Sequence, residues 1–382
     1  MNARIAIVGA GPAGCATALA LAAAGVDGVT VIEAGGDSTR PRIGESVSPE
    51  FARLLDRLGL LAAFRAQGHS PCHGSCSSWG DDRLGFNDFI VSPHGHGWHL
   101  DRMAFDRLLL DRTRATGVRV LTETRLHDAR RESSGRFCLT LHAAGGKVVT
   151  LQADQVVDAG GVQALLASRL GARKRLDDRL VVLSALLAPD NDEHAPRQTL
   201  LEACEYGWWY AARVPDGRWM VALATDADAM RARGLAQPAS WYRHLRSTRH
   251  LGPGLLPRTQ APAGIDRWLA ASSLLQPCAG PGWLAVGDAA SCYDPISAHG
   301  LYKALETGLA AAQAIVGTIV GTTVETIAAP PSSCTAAIGD YVRSVERGYD
   351  DYLAGRRHFY ALERRWPDAP FWRLRGARRA AA

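Results

Sequence analysis

The chain has 382 residues, 47% hydrophobic and 21% charged, which is enough for one large domain or two intimate ones with a sizeable core. Its net charge is +5, carried almost wholly by arginine, since Lys147, Lys174 and Lys303 are the only lysines. There is no basic tract interleaved with aromatics beyond the short RLRGARR at 373–379, and eight scattered cysteines are too few for a disulfide scaffold; nucleic-acid binding and secreted disulfide frameworks are set aside, and a reducing cytoplasm is expected.

The apolar run from Ile5 to Val26 could pass for a targeting segment. It instead carries spaced glycines and runs straight into a strand pattern, so RIAIVGAGPAGCATALALAAAGV reads as strand, tight turn and helix, and GVTVIEAG as a second strand. Residues 47–64 are expected to be helical. Residues 98–117 form a strongly amphipathic helix with Met103, Leu108 and Leu109 turned inward. From 118 to 161 strands alternate with turns and close on a buried strand, QVVDAGG. Between 180 and 270 the segments LVVLSALLAP, QTLLEACEYGWWYAARVP and RWMVALATD alternate as antiparallel strands do, and a helix follows near 239–248. Strand, loop and helix return over 282–316. A second apolar run, 308–324, holds Gln313 and several Gly and Thr, and reads as a buried helix rather than a membrane span. The tail, 340–375, is helical and rich in aromatics and arginines.

These elements predict an α/β protein. A Rossmann-type nucleotide domain over 1–178 and 271–335 is interrupted by an antiparallel sheet domain over 179–270 and followed by a helical tail over 336–382.

Three motifs carry chemistry. In Gly9-x-Gly11-x-x-Gly14, glycine removes Cβ where the chain turns sharply and where backbone approaches a pyrophosphate; the helix beginning at Pro12 and Ala13 then offers unpaired N–H groups and a positive dipole end. Glu33, 19 residues after Gly14, ends the second strand, where a carboxylate can accept from ribose hydroxyls. In GDAASCYDPISAHG, 287–300, the Gly287-Asp288 pair follows a buried strand and can take a ribitol or ribose hydroxyl. Asp294-Pro295 ends the loop, and Gly300-Leu301 opens an alanine-rich helix whose N-terminus suits an electron-rich ring. In VVDAGG, 156–161, Asp158 and Gly160 are the strand end that would close a nucleotide site.

Together with RIGESVSP, SSWG, GHGWHLDRMAFDRLL, YGWWYAARVPDGRWMVALATDAD and the terminal RRWPDAPFWRLR, these motifs resemble, over nearly the whole chain, the flavoprotein monooxygenases of the para-hydroxybenzoate hydroxylase fold. Within that fold they resemble the tryptophan-halogenase-like branch, and most of all the flavoproteins that mature tryptophan-derived quinone cofactors. The resemblance implies FAD as cofactor, with the fold (a three-layer ββα FAD-binding domain), O2 as co-substrate, and reduction by NAD(P)H or by a separate flavin reductase. It implies hydroxylation of an aromatic group, an indole on a free small molecule or on a peptide or protein, through a C4a-hydroperoxyflavin. No nucleic-acid or membrane partner is expected. The FAD contacts would extend to Arg42, to Gly44, Glu45 and Ser46 beside the isoalloxazine, and to Arg102 near the phosphates or adenosine half.

Where the resemblance is to halogenases, one piece is missing. Their lysine lies roughly thirty residues beyond the GxGE-type loop, and 46–101 here contains none; their W-x-W-x-I-P motif is only partly matched by GWWYAARVP. Direct oxygen transfer is therefore the first expectation, with halogenation, a geranylgeranyl-reductase-like oxidoreductase and a flavin-bound chaperone as alternatives. Glu45 and His299 are the candidate catalytic groups, and Trp79, Trp208 and Tyr210 the candidate substrate wall. A helix N-cap at Ser46 or Ser48, or a histidine capping its own loop, would be the purely structural roles. CHGSC at 72–76 and HGHGWH at 94–99 have poor ligand spacing, and no metal is expected.

Overall fold

The computed structural model describes residues 1–35, 43–188, 196–255, 260–328 and 332–376. The first strand, Asn2–Val8, is buried throughout its second half, as a strand covered on both faces must be. It pairs in parallel with Val29–Ile32 on one side and with Val148–Asp158 on the other. Arg119–Leu121 closes one edge of this sheet, and Trp283–Ala285 with Ala279–Gly280 the other. The antiparallel strands Arg125–Arg131 and Phe137–His142 pair onto the first half of Val148–Asp158 and supply the second β layer. Helices Pro12–Ala23, Arg102–Ala115 and Gly300–Ala328 form the third layer. The first and last of these cross closely because Gly308 has no side chain: a Cβ there would sit 2.6 Å from the Ala13 carbonyl oxygen. The expected three-layer FAD-binding fold is present, completed late in the chain.

The second large sheet has seven strands, in the order Asp266–Leu269, Leu180–Leu187, Trp219–Asp226, Gly207–Arg213, Thr199–Cys204, Gly74–Ser78 and Leu84–Asp88. This corrects the expected domain limits. The hairpin Gly74–Asp88 belongs to the sheet domain, although it lies within 1–178, because Gly74–Ser78 pairs in parallel with Thr199–Cys204, the single parallel junction of an otherwise antiparallel sheet. One face packs on Trp241 and Leu245 of the helix Pro238–Arg246. The other face packs on Tyr360, Phe371 and Trp372 of the tail, where Ser332–Leu362 and Pro370–Gly376 are helical.

Two helices differ from expectation. The segment 47–64 is two short helices, Phe51–Arg57 and Leu61–Arg65, divided at Gly59, whose φ of +66° ends the first. The amphipathic helix starts at Arg102, capped by the Asp101 carboxylate accepting from the Ala104 N–H at 2.9 Å. Residues Gly97–His99 are instead a strand between Ser46–Val47 and Ser70–Cys72. Its buried face is Phe105, Leu109 and Thr113, with Met103 and Leu108 half-buried. Among the described residues no helix is long and apolar enough to cross a membrane.

Candidate active site

The turn from Gly9 to Gly14 is built by steric necessity. Gly9 has φ +111°, and a Cβ on it would lie 2.3 Å from the Ala159 oxygen; one on Gly14 would lie 1.9 Å from the Gly9 oxygen. Gly11, by contrast, faces open space, so backbone at the helix N-terminus is exposed for an anion. Glu33 accepts from the Ala10 N–H at 2.8 Å and the Gly35 N–H at 3.1 Å, and so pins this turn to the end of the second strand. Gly287 reaches the same helix: at φ +58° its missing Cβ would sit 2.7 Å from Ala13 Cβ. Asp288 stands beside it with a half-exposed carboxylate, paired through Oδ1 with Lys303 at 2.8 Å.

Asp158 and Leu301 turn their side chains inward. Asp158 is fully buried and turned inward, accepting from the Gly160 and Ala167 N–H groups at 2.8 Å each, so it shapes the strand end and the helix Leu165–Arg169 from behind the nucleotide turn. Burial raises its carboxyl above the ordinary range. The Leu301 side chain is in the core, and Gly300 alone is exposed at that helix start. Arg42 lies outside the described residues.

The loop 43–48 joins the two halves. Gly44 holds φ +90°, and Arg102 donates to the carbonyls of Ile43 at 2.5 Å and Gly44 at 3.2 Å, bracing the turn from below. Ser46 is paired into a short strand rather than capping a helix; the helix that follows has Glu50 at its N-cap position and no side-chain cap. Glu45 is 1% exposed, and among the described residues neither carboxylate oxygen has a hydrogen-bond partner. Burial pushes its carboxyl up, while the nearby Tyr210 hydroxyl and Arg102 guanidinium act in the opposite sense. Burial, and then the charge of Glu45, keep Tyr210 a phenol.

Above this loop opens a cavity of about 840 Å³ between the seven-stranded sheet and the helix Ser332–Leu362. Ser46, Tyr210 and Thr199 stand on one wall, Trp79 and Phe359 near the tail, Pro295 and His299 on the wall contributed by the Gly-Asp loop. The hydroxyls are linked: Tyr210 to Ser46 at 2.7 Å, Thr199 to Ser46 at 3.0 Å, and His99 Nε2 to Thr199 at 3.2 Å. Burial lowers His99 to about 4, so the ring is neutral. Trp79 and Tyr210 both line this cavity. Trp208 does not: it sits one layer back, its indole N–H donating to the Tyr360 hydroxyl at 2.9 Å, because alternate residues of a strand face opposite sides. His299 is exposed at the mouth, with its ring edge-on to Tyr302. Among the described residues no three metal-ligating side chains gather.

One group escaped the sequence reading. Asp294 is fully buried; Oδ1 accepts from the Ile296 N–H at 3.0 Å and Oδ2 from the Tyr360 hydroxyl at 2.7 Å, with the Arg356 guanidinium 3.4 Å away. Its N–H donates to the Tyr352 hydroxyl at 2.7 Å. Tyr352, Arg356 and Tyr360 recur every four residues on one helix face, and this spacing was the only signal in the sequence. They hold the loop 294–299 against the tail.

The donor set fits FAD. The helix N-terminus at Gly11 has room to take a phosphate, the half-exposed Asp288 carboxylate could accept from a ribityl hydroxyl, and the buried Glu45 carboxyl follows Gly44, which carries no side chain. A protein with this fold and these groups is a flavoprotein, and the family comparison agrees: the model described as FAD binding domain matches residues 2–329, and the chain belongs to that family. LodB of Marinomonas mediterranea, named as an FAD-dependent oxidoreductase, is 30% identical over 373 residues, covering 97% of this chain and 96% of that protein. The flavin-dependent halogenase CmlS superposes over 100% of this chain and 68% of its own, with a TM-score of 0.84 and 26% identity. QhpG, a peptidyl tryptophan dihydroxylase essential for tryptophylquinone cofactor biogenesis, superposes over 100% of this chain and 80% of its own, with a TM-score of 0.77 and 27% identity. The chain is an FAD-dependent oxidoreductase of the halogenase-like monooxygenase fold.

Proposed function

We propose that this flavoprotein is a monooxygenase that hydroxylates an aromatic ring, an indole of tryptophan, carried on a peptide or protein. The observation that carries the reading is the cavity: it is roomy, walled by Trp79, Tyr210 and Phe359, and lined by Ser46, Val47 and Ser48, which directly follow the buried Glu45. Bound FAD, reduced by NAD(P)H or a flavin reductase, would supply O2 activation. One oxygen atom enters a ring C–H bond and the other leaves as water, with two electrons coming from the reductant. The protein's own part is to exclude water, to seat the ring against Tyr210, and to keep the Glu45 carboxyl buried beside the loop. The carboxyl is raised by burial and, among the described residues, has no donor within hydrogen-bond geometry, so it is suited to a polar contact at the flavin edge. The likeness to QhpG, a peptidyl tryptophan dihydroxylase, supports the substrate class.

Halogenation is the second reading, favoured by the likeness to CmlS and by the one lysine on the cavity wall, Lys303. Its ammonium is already bonded to Asp288 and Ser291, which favours oxygen transfer. The test is mass spectrometry with purified protein, FAD, a reductant and 18O2 on tryptophan and tryptophan-containing peptides, without and with halide. The expected product carries one labelled oxygen and needs no halide. A product formed without oxygen, or only with halide, would sink the proposal.

A further inference from the structure

Only three of the 43 lysine and arginine residues are lysines. Lys147 lies in an exposed turn between Phe137–His142 and Val148–Asp158. The other two come from distant parts of the chain and converge on one residue, Asp288. Lys303 Nζ is 2.8 Å from Asp288 Oδ1, donates to the Ser291 carbonyl, and lies 4.5 Å from the centre of the Tyr293 ring. Lys174 Nζ donates to the Asp288 carbonyl at 2.8 Å and is 3.4 Å from Cys292 Sγ. The pair is lopsided: the Lys303 side chain is 5% exposed, that of Asp288 45%. The cation is inside, the carboxylate is at the open face, and among the described residues Oδ2 has no protein partner.

Burying an ammonium is costly unless its donors are met, and at Lys303 each of the three directions is met. A guanidinium, which this chain uses nearly everywhere else, is a planar fork and cannot fill a tetrahedral site bounded by a carboxylate, a carbonyl and a ring face. The same loop is fixed at its other end, where the Gly287 N–H donates to Thr307 Oγ1 at 2.9 Å and Gly287 packs on Ala13 of the phosphate-binding helix.

We propose that Lys303, seconded by Lys174, is a positioning residue for the cofactor: it takes one oxygen of Asp288 and so presents the other to FAD. Without it the carboxylate is free to rotate. The role depends on the shape of the ammonium as well as on its charge, so arginine does not replace it. This inference rests on FAD binding alone and is independent of which substrate is oxidised.

The test is the FAD dissociation constant, read from flavin fluorescence released on dilution of the holoprotein. The proteins compared are the wild type, Lys303→Met, Lys303→Arg, Asp288→Ala, the Lys303→Met/Asp288→Ala double variant, and Lys147→Met as a control. Lys303→Met and Lys303→Arg are each expected to weaken FAD binding about tenfold or more, and Lys147→Met not at all. In the Asp288→Ala background Lys303→Met should add nothing further, since the lysine acts through that carboxylate. A smaller loss in both Lys303 variants, or a loss that persists undiminished without Asp288, overturns the proposal. Should Lys303→Met not fold, Lys303→Arg alone and in the Asp288→Ala background give the same comparison.

Discussion

The cofactor half and the cavity half of this molecule treat their carboxylates in opposite ways. In the cofactor half, Glu33 and Asp158 each accept two backbone N–H bonds, and Asp288 is held by a lysine. In the cavity half, Glu45 is as deeply buried as Asp158 and accepts none. A buried carboxyl normally finds a donor, because leaving it unpaired costs more than the bond returns. The difference separates carboxylates that close their own loops from one that, among the described residues, has no donor within hydrogen-bond geometry.

The sharpest way to break the comparison is in the cradle. Gly14→Val places atoms on the Gly9 carbonyl, which cannot yield, and the purified variant is expected to carry essentially no FAD by its visible absorption. A yellow, fully loaded variant would mean that the turn is not the phosphate site. Next comes the seam between the halves. Arg356→Met leaves Asp178 and Asp294 buried without their cation and should cost about 3–5 kcal/mol, read as a drop in denaturant midpoint.

His99 sharpens the comparison through pH. Its folded value, about 4, lies below its ordinary value of 6.5. The unfolded chain therefore takes up a proton in that window and the native protein does not, so stability falls as pH drops from 6.5 toward 4. The full loss is about 3 kcal/mol, and urea titrations of His99→Gln should lack this component. Smallest is Tyr360→Phe, which removes the hydroxyl between Trp208 and Asp294 and should cost about 1–2 kcal/mol in the same measurement.

The two halves also differed in how far they could be read from sequence. The cradle is local: Gly9, Gly11, Gly14 and Glu33 lie within one βαβ unit, and Gly287-Asp288 directly follows a buried strand, so residue type and spacing carried the assignment. That the Asp158 side chain accepts from two amides was not legible, because a strand-end carboxylate looks the same in sequence whether it faces outward or back onto its own loop. The cavity is not local. Its walls come from residues 46–48, 72–89, 199–210, 293–306 and 348–362, and nothing in the hairpin Gly74–Asp88 announces that it leaves the first domain to pair with Thr199–Cys204. Trp208 and Tyr210 share the strand Gly207–Arg213, yet only Tyr210 is on the cavity wall, since Trp208 packs back on Tyr360 of the tail. The Asp294–Arg356–Tyr360 cluster needs the tail helix docked before it exists.

The central claim is that the cradle only holds FAD and that the loop at Glu45 directs its chemistry. Glu45→Gln separates the two, because it keeps the shape and removes the titrating group. It should also remove the part of the apoprotein's stability loss that Glu45 causes as pH rises above the carboxylate range, since a carboxyl raised by burial favours the folded state only while protonated. The direct measurement is hydroxylated product and hydrogen peroxide formed per O2 consumed by Glu45→Gln with FAD and reductant. The account predicts full FAD loading, less product and more peroxide. Unchanged product per O2 would contradict it.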